Sequence, residues 1–376
     1  MGVLRRIPRN QVALLGRFPL PLSVFVFTGD FMKASLIMAT TLAAAVALNA
    51  AQAQTFKVNK FNIGGEGSHD YIVAEAGGRV FVSRETHFMV VDGGTGQVLG
   101  DITDLPGVHG AALVPKWNRG FTTNRGDSTV TEFDLKTFGA IKKIPIAVGG
   151  LDGIMYDDSI DRVILTNHSR PVGTAVAIDP STGAITGTAE LEDDSPEGAA
   201  SDGAGRLFVN NESKNTIQVI EAKTMKVLAS WPIAPCEGPT GIAYDKASKR
   251  IFSGCSKTSV VVDAGSGKVV ATIANGDGVD ALGWDPAEKL IYIPAGRDGI
   301  VTVAHQDSAD RYTVVGTVAT MQGGKTIAVD PVKHVAYVFA PEYGPAPAPA
   351  AGGPPPANGR RPRGPLIGTW FFAISH

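Results

Sequence analysis

The chain has 376 residues, is 44% hydrophobic and carries a formal charge of −2. That supplies ample apolar material for a large core. It does not supply the basic footprint with which a protein attracts DNA or anionic lipid.

The first residues stand apart from that core. Met32-Lys33, the apolar run Thr40–Leu48 and the small-x-small site Ala51-Gln52-Ala53 predict a secretory signal peptide over 32–53. The run Ser35–Ala51 is short and Ala-rich, with no charged stop after it, which argues against a membrane span. Residues 1–31 hold Arg5, Arg6, Arg9 and Arg17 among Pro and Leu. They read as an upstream extension, and Arg5-Arg6 lie too far from the apolar run for a convincing Tat signal. The mature protein is then 54–376, periplasmic or secreted. Losing five basic residues from 34 and one acidic from 36 leaves 29 and 35, a charge of −6. Nucleic acid is not an expected partner.

From there the chain repeats. Units begin at Gly67, Gly107, Gly150, Ser195, Gly238, Gly278 and Gly323, each starting an inner strand. The fourth shows the pattern best: Gly198–Asp202, Arg206–Asn210, Thr216–Ile220 and Val227–Trp231, divided by polar or Gly-rich turns. Four short strands per unit of 40–45 residues are the signature of a propeller blade. The predicted fold is all-β: a seven-bladed propeller in one domain, each blade a four-stranded antiparallel sheet. The seventh unit shows only Lys325–Asp330, His334–Ala340 and Leu366–Ile374. Its missing outer strand is assigned to Phe56–Ile63, so that the N-terminal strand closes the ring and removes two sheet edges. Residues 342–365, rich in Pro and Gly, read as a loop insertion in the last blade. A sharper alternative makes it a tether or lid, with Arg360, Arg361 and Arg363 meeting an acidic partner.

The second strands align at Phe81-Val82-Ser83-Arg84, Phe121-Thr122-Thr123-Asn124 and Ile164-Leu165-Thr166-Asn167, and on through Tyr337-Val338-Phe339-Ala340. The hairpins Asp179-Pro-Ser-Thr-Gly-Ala and Asp263-Ala-Gly-Ser-Gly-Lys follow an Asp-x-x-Thr-Gly-Lys pattern. At these positions the chain resembles the YVTN-repeat, or YncE-like, family of exported β-propellers, over about residues 56–375. The resemblance implies a binding module for a small molecule or a periplasmic protein. It speaks to fold more than to function, because the superfold hosts many activities.

In a blade the start of strand one and the end of strand two share a face. The third residue of each unit should therefore approach the mouth of the central channel: His69, His109, Asp152, Glu197, Thr240, Asp280 and Lys325. The ends of the second strands add Arg84, Arg125, His168, Glu212 and Arg297, with His87 in an adjoining loop. These form the expected ligand site. Within it, His69, His109, Asp152 and Glu197 are suitable donors for a divalent metal. The competing reading is a polar lining that solvates the mouth. Tyr156-Asp157, Tyr244-Asp245 and Trp284-Asp285-Pro286 end inner strands on the opposite face, and their aspartates read as turn formers.

Two rival functions stay open. One is a metal-dependent, lactonase-like hydrolase using that cluster. Glu197-Gly198 is similar to the metal-binding Glu-Gly-Pro of gluconolactonase-type propellers, although Ala199 replaces Pro. The other is an accessory propeller for quinoprotein or haem chemistry, without covalent c-type haem because no Cys-x-x-Cys-His is present. No Gly-x-Ser-x-Gly elbow marks a serine hydrolase. A monomer is expected. Cys236 precedes the inner strand Gly241–Asp245 and Cys255 ends the second strand of the same unit. A curled approach loop would bring their Cα atoms within the ~4.4–6.8 Å of a disulfide, which an oxidising compartment favours. Two free thiols are the alternative.

Overall fold

A computed structural model describes residues 54–346 and 364–376. The predicted signal peptide (32–53), the upstream segment (1–31) and positions 347–363 of the insertion, including Arg360, Arg361 and Arg363, lie outside the described residues.

The chain forms seven four-stranded antiparallel sheets, the blades of a propeller. β1 (Lys57–Asn62) opens it. Blade one is β2 (Ile72–Ala74), β3 (Arg79–Arg84), β4 (His87–Asp92) and β5 (Val98–Ile102). Blade two is β6 (Val108–Val114), β7 (Arg119–Asn124), β8 (Thr129–Asp134) and β9 (Ala140–Pro145). Blade three is β10 (Leu151–Asp157), β11 (Arg162–Asn167), β12 (Thr174–Ile178) and β13 (Ile185–Glu190). Blade four is β14 (Pro196–Ser201), β15 (Arg206–Asn211), β16 (Thr216–Glu221) and β17 (Lys226–Pro232). Blade five is β18 (Ile242–Asp245), β19 (Arg250–Ser253), β20 (Thr258–Asp263) and β21 (Val269–Ala274). Blade six is β22 (Gly283–Asp285), β23 (Leu290–Ala295), β24 (Ile300–Ser308) and β25 (Arg311–Ala319). Blade seven joins β26 (Ile327–Asp330), β27 (Val335–Tyr343) and β28 (Leu366–Ser375) to β1 from the other end of the chain. β1 runs against β28 from Lys57 opposite Ser375 to Asn62 opposite Trp370. The ring is therefore closed by the N-terminal strand.

Strand chemistry follows position in the blade. The middle strands are covered on both sides by neighbouring blades, so β15 and β16 are buried almost end to end. The outer β17 alternates exposed and half-buried residues because one of its faces meets water. At one second-strand position the residue is large in every blade and at most 1% exposed: Phe81, Phe121, Ile164, Phe208, Phe252, Tyr292 and Tyr337. Each fills the space between blades, and burying such a side chain contributes about 1.5–3 kcal/mol. The hairpin between strands three and four has a physical cause as well. Asp92, Asp134, Asp179 and Asp263 each accept the backbone amide of the Thr or Ser three residues on, or of its neighbour. A residue at positive φ follows: Gly96, Phe138, Gly183 or Gly267. Asp157, Asp245 and Asp285 accept amides two residues on in the turns after the inner strands.

The insertion is shorter than the sequence suggests. Glu342 and Tyr343 belong to β27, and Glu342 accepts the indole N–H of Trp370 at 2.6 Å. The hairpin extends outward because β27 and β28 pair as far as Tyr343 and Leu366.

Cys236 and Cys255 are joined, with Cα atoms 5.7 Å apart across a separation of 19 residues. Both are fully buried among Phe208, Ile233 and Ile251. The bond ties the loop approaching blade five to the end of that blade's second strand. Reduction, or Cys255→Ser, should destabilise the chain by about 3 kcal/mol at most, read as a lower denaturant midpoint. Thiol titration of the denatured, unreduced protein should find no reactive thiol; two per chain would exclude the bond.

Candidate functional site

The site is built from one turn type and one ring of hydrogen bonds. Six of the seven unit starts are glycine, and all six have positive φ, from 61° at Gly238 to 92° at Gly67. The conformation suits glycine, and the space demands it. A Cβ on Gly150 would lie 1.9 Å from the carbonyl oxygen of His168. That close approach, with the amide of His168 donating to Gly150 at 2.8 Å, fixes the end of a second strand beside the start of the first.

Around the mouth each blade then bonds to the next. The Tyr71 amide donates to the His109 carbonyl at 3.2 Å, and Thr123 Oγ1 to the Asp152 carbonyl at 2.6 Å. Thr166 Oγ1 donates to the Glu197 carbonyl at 2.8 Å, and the Gly198 amide to the Thr240 carbonyl at 3.2 Å. Thr240 Oγ1 donates to Val279, the Asp280 amide to Lys325, and Thr326 Oγ1 back to Asp70 at 2.6 Å. The circuit is complete. Because the backbones are tied around the circumference, the side chains of Asp70, His109, Asp152, Glu197, Asp280 and Lys325 are held at one level of the mouth.

These side chains meet in a chain of charges. Lys325 Nζ donates to Asp70 Oδ1 at 2.8 Å and also to Asp280. The other oxygen of Asp70 lies 2.5 Å from His109 Nδ1, which is 3.5 Å from Asp152 Oδ1. Asp152 Oδ2 lies 3.0 Å from His168 Nε2, which is 3.1 Å from Glu197 Oε1. Glu197 Oε2 accepts the hydroxyl of Tyr71 at 3.1 Å. Two sets of donor atoms thus sit within 4.8 Å of one another: Asp70, His109 and Asp152, and Asp152, His168 and Glu197. Either set could hold a metal ion.

Burial sets the electrostatics. It pushes the Glu197 carboxyl up to about 7, aided by the charges of Asp152 and Asp280 and opposed by His168. It raises Asp280 too, against the pull of Lys325. Burial alone would depress His109, but the nearby Asp152 and Asp70 outweigh it and hold the ring at about 9. For Asp70, His109 and Lys325 overcome desolvation and hold the carboxyl at about 2.

Several expected residues lie elsewhere. His69 is displaced by one position. Blade one carries an extra residue after Gly67, so Asp70 takes the ring place. His69 Nε2 donates to the Gly323 carbonyl at 3.0 Å, and its ring packs on Phe339. Arg84 is not at the mouth. It is fully buried, donates to the Gly64 carbonyl at 2.9 Å and stacks on Phe339, 4.9 Å from the ring centre. His87 turns to Asp101 on the outer strand of its own blade. Arg125 is exposed, while Arg297, paired with Asp277 at 3.1 Å, stays beside the mouth.

Glu212, Thr240, Asp280, Arg297 and Lys325 line a cleft of about 560 Å³ on the side of blades five to seven. Beneath the mouth, a cavity of about 160 Å³, lined by backbone and by small or aliphatic side chains, runs between Gly110, Gly153, Gly198 and Gly241. Tyr71, where those blades have glycine, crosses above it from blade one to blade four. The sequence reading missed both Asp70 and Tyr71. Aligning the pairs His109-Gly110, Asp152-Gly153, Glu197-Gly198 and Thr240-Gly241 would have placed Asp70-Tyr71 in the same register.

No family model matches the sequence, and no curated protein matches it. Among solved structures, a chain of Kuenenia stuttgartiensis Hydrazine Synthase superposes with a TM-score of 0.64 at 17% identity. The match covers 73% of this chain and 93% of that one. It shows the shared propeller fold. Among the described residues no helix is long and apolar enough to cross a membrane.

Thr123 tests the ring, since its Oγ1 also accepts the Gly110 amide at 3.0 Å. Thr123→Val keeps the shape and strands two buried partners. It should cost about 1–3 kcal/mol, seen in urea unfolding; a neutral effect would deny the ring its structural role.

Proposed function

We propose that the protein is an exported, YncE-like propeller that binds a small polar ligand at the channel mouth. One observation carries the reading: Asp152 and Glu197, with side chains at most 8% exposed, sit with Asp70 and Asp280 at a single level of the mouth. Holding ionisable groups out of water costs free energy, and a fold does not require it there, since Thr240 occupies the same level in blade five. Concave sites with convergent polar groups and shifted pKa values are where ligands bind. The cleft beside them offers the exposed Arg297 for an anionic group, and Glu212 and Thr240 to accept from ligand hydroxyls or amines. The signal-like segment over 32–53 and the paired cysteines support export.

A second reading, metal-dependent hydrolysis, is favoured by the two metal-capable donor sets. A bound ion would supply a water of lowered pKa at the mouth. Asp70, His109, Asp152, His168 and Glu197 would hold it, and the cleft would seat the substrate.

A metabolite library screened by thermal shift tests the binding reading. A ligand at about 100 times its Kd adds about 2.7 kcal/mol of stability. Hits should raise the wild-type melting temperature and lose that effect in the double variant Asp280→Asn, Arg297→Ala. Hits that stabilise both proteins equally would place the ligand elsewhere.

A further inference from the structure

The mouth holds two histidines whose nitrogens are surrounded by carboxylate oxygens yet make no hydrogen bond. His109 Nδ1 and His168 Nε2 are buried and lack a partner of acceptable geometry. Nevertheless each lies within 2.5–3.5 Å of two carboxylates. Elsewhere in the same chain histidine and aspartate do form ordinary hydrogen bonds: His334 with Asp285 and His305 with Asp307, both at 2.9 Å. At the mouth each buried ring nitrogen instead stands between the carboxylates of two different blades.

Asp152 is the second sign. Its side chain is 7% exposed. No backbone amide or hydroxyl among the described residues donates to its carboxylate, in contrast to the turn aspartates. Its Oδ1 faces His109 and its Oδ2 faces His168. Spacing is the third. Metal bonds of about 2.0–2.2 Å to nitrogen and oxygen place adjacent donors about 3 Å apart, and slightly more in a tetrahedral shell. Three of the four separations around the histidines, 3.0, 3.1 and 3.5 Å, fall near that edge length, and the fourth, His109 to Asp70, is shorter at 2.5 Å.

We propose that Asp152 bridges two divalent transition-metal ions, one bound with Asp70 and His109, the other with His168 and Glu197. The inference deepens the reading of the mouth as a binding site and rests on it. Imidazole and carboxylate together suit Zn²⁺, Mn²⁺ or Fe²⁺. The outer contacts are of the kind that orient ligands: Lys325 holds the far oxygen of Asp70, and Tyr71 the far oxygen of Glu197. With three protein donors each, both ions would keep open positions for water or ligand.

The experiment uses the mature chain, stripped with chelator and dialysed against Zn²⁺ or Mn²⁺. Elemental analysis should find two ions per chain. Asp70→Asn and Glu197→Gln should each lose one ion and keep the other. Asp152→Asn should weaken both by at least about tenfold, while His334→Ala should keep both. One ion or none in the wild type, or unchanged affinity in Asp152→Asn, overturns the proposal. Should a variant misfold by circular dichroism, the wild type still decides. Mn²⁺ at both positions gives the exchange-coupled electron paramagnetic resonance spectrum of a bridged pair, and the spectrum of isolated Mn²⁺ overturns it. If metal binding fails while the thermal-shift hits still depend on Asp280 and Arg297, only the metal centre falls. If both fail, the mouth is not a binding site.

Discussion

Every feature of the mouth depends on the circumferential hydrogen bonds that link blade to blade. Each bond ends on the backbone carbonyl of a residue at the start of an inner strand. In six of the seven junctions that residue is itself a member of the ring: Asp70, His109, Asp152, Glu197, Thr240 or Lys325. With the backbone committed sideways, its side chain is held at the channel. The donors are modest side chains or amides, and they come from neighbouring blades. A site assembled this way is rigid although no two of its residues share a local motif.

The same constraint explains the small residues below the ring. Gly110 sits where a Cβ would meet Ile154 at 2.9 Å and Asp152 O at 3.4 Å, and a Cβ on Gly241 would collide with the backbone at Ala281 and Leu282. Inner strands converge toward the axis, so the position after the ring has almost no room. Tyr71 fits only because the blades facing it have glycine there. Its ring lines the glycine-walled cavity, and its hydroxyl reaches the charged layer, so the two levels of the channel meet at one side chain.

The blades meet the energetic demand of this arrangement. Desolvating Asp152, Glu197 and their neighbours opposes folding, while large residues such as Phe81, Phe208 and Tyr337 are buried between blades in every repeat. Stability comes from positions that hardly vary in character between repeats. Chemistry comes from the one ring position that varies most: aspartate, histidine, glutamate, threonine or lysine. The mouth is accordingly lopsided, with the metal-capable donors on blades one to four and the open cleft with its cations on blades five to seven.

The sequence by itself determined the repeat. Period, strand alternation, the unit-start glycines at Gly107, Gly150, Gly238, Gly278 and Gly323, and the Asp-x-x-Thr-Gly hairpins are local consequences of backbone sterics and burial, and local physics is written in local residues. It also placed His109, Asp152, Glu197, Asp280 and Lys325 in one ring, because equal spacing in a repeat means equal position in space. The tertiary structure decided the rest. One extra residue after Gly67 moves Asp70 into the ring and turns His69 toward Gly323 and Phe339; pair alignment can suggest that register, and the closed circuit of hydrogen bonds fixes it. Arg84 holds the last position of its second strand, that of the buried Asn124, Asn167 and Asn211 and one residue short of His168, and only the folded chain shows its partners there, the Gly64 carbonyl and Phe339 of another blade. The contact of Tyr71 with Glu197 joins residues 126 apart in sequence. Such contacts are set by how the ring closes, and closure is a property of all seven blades together.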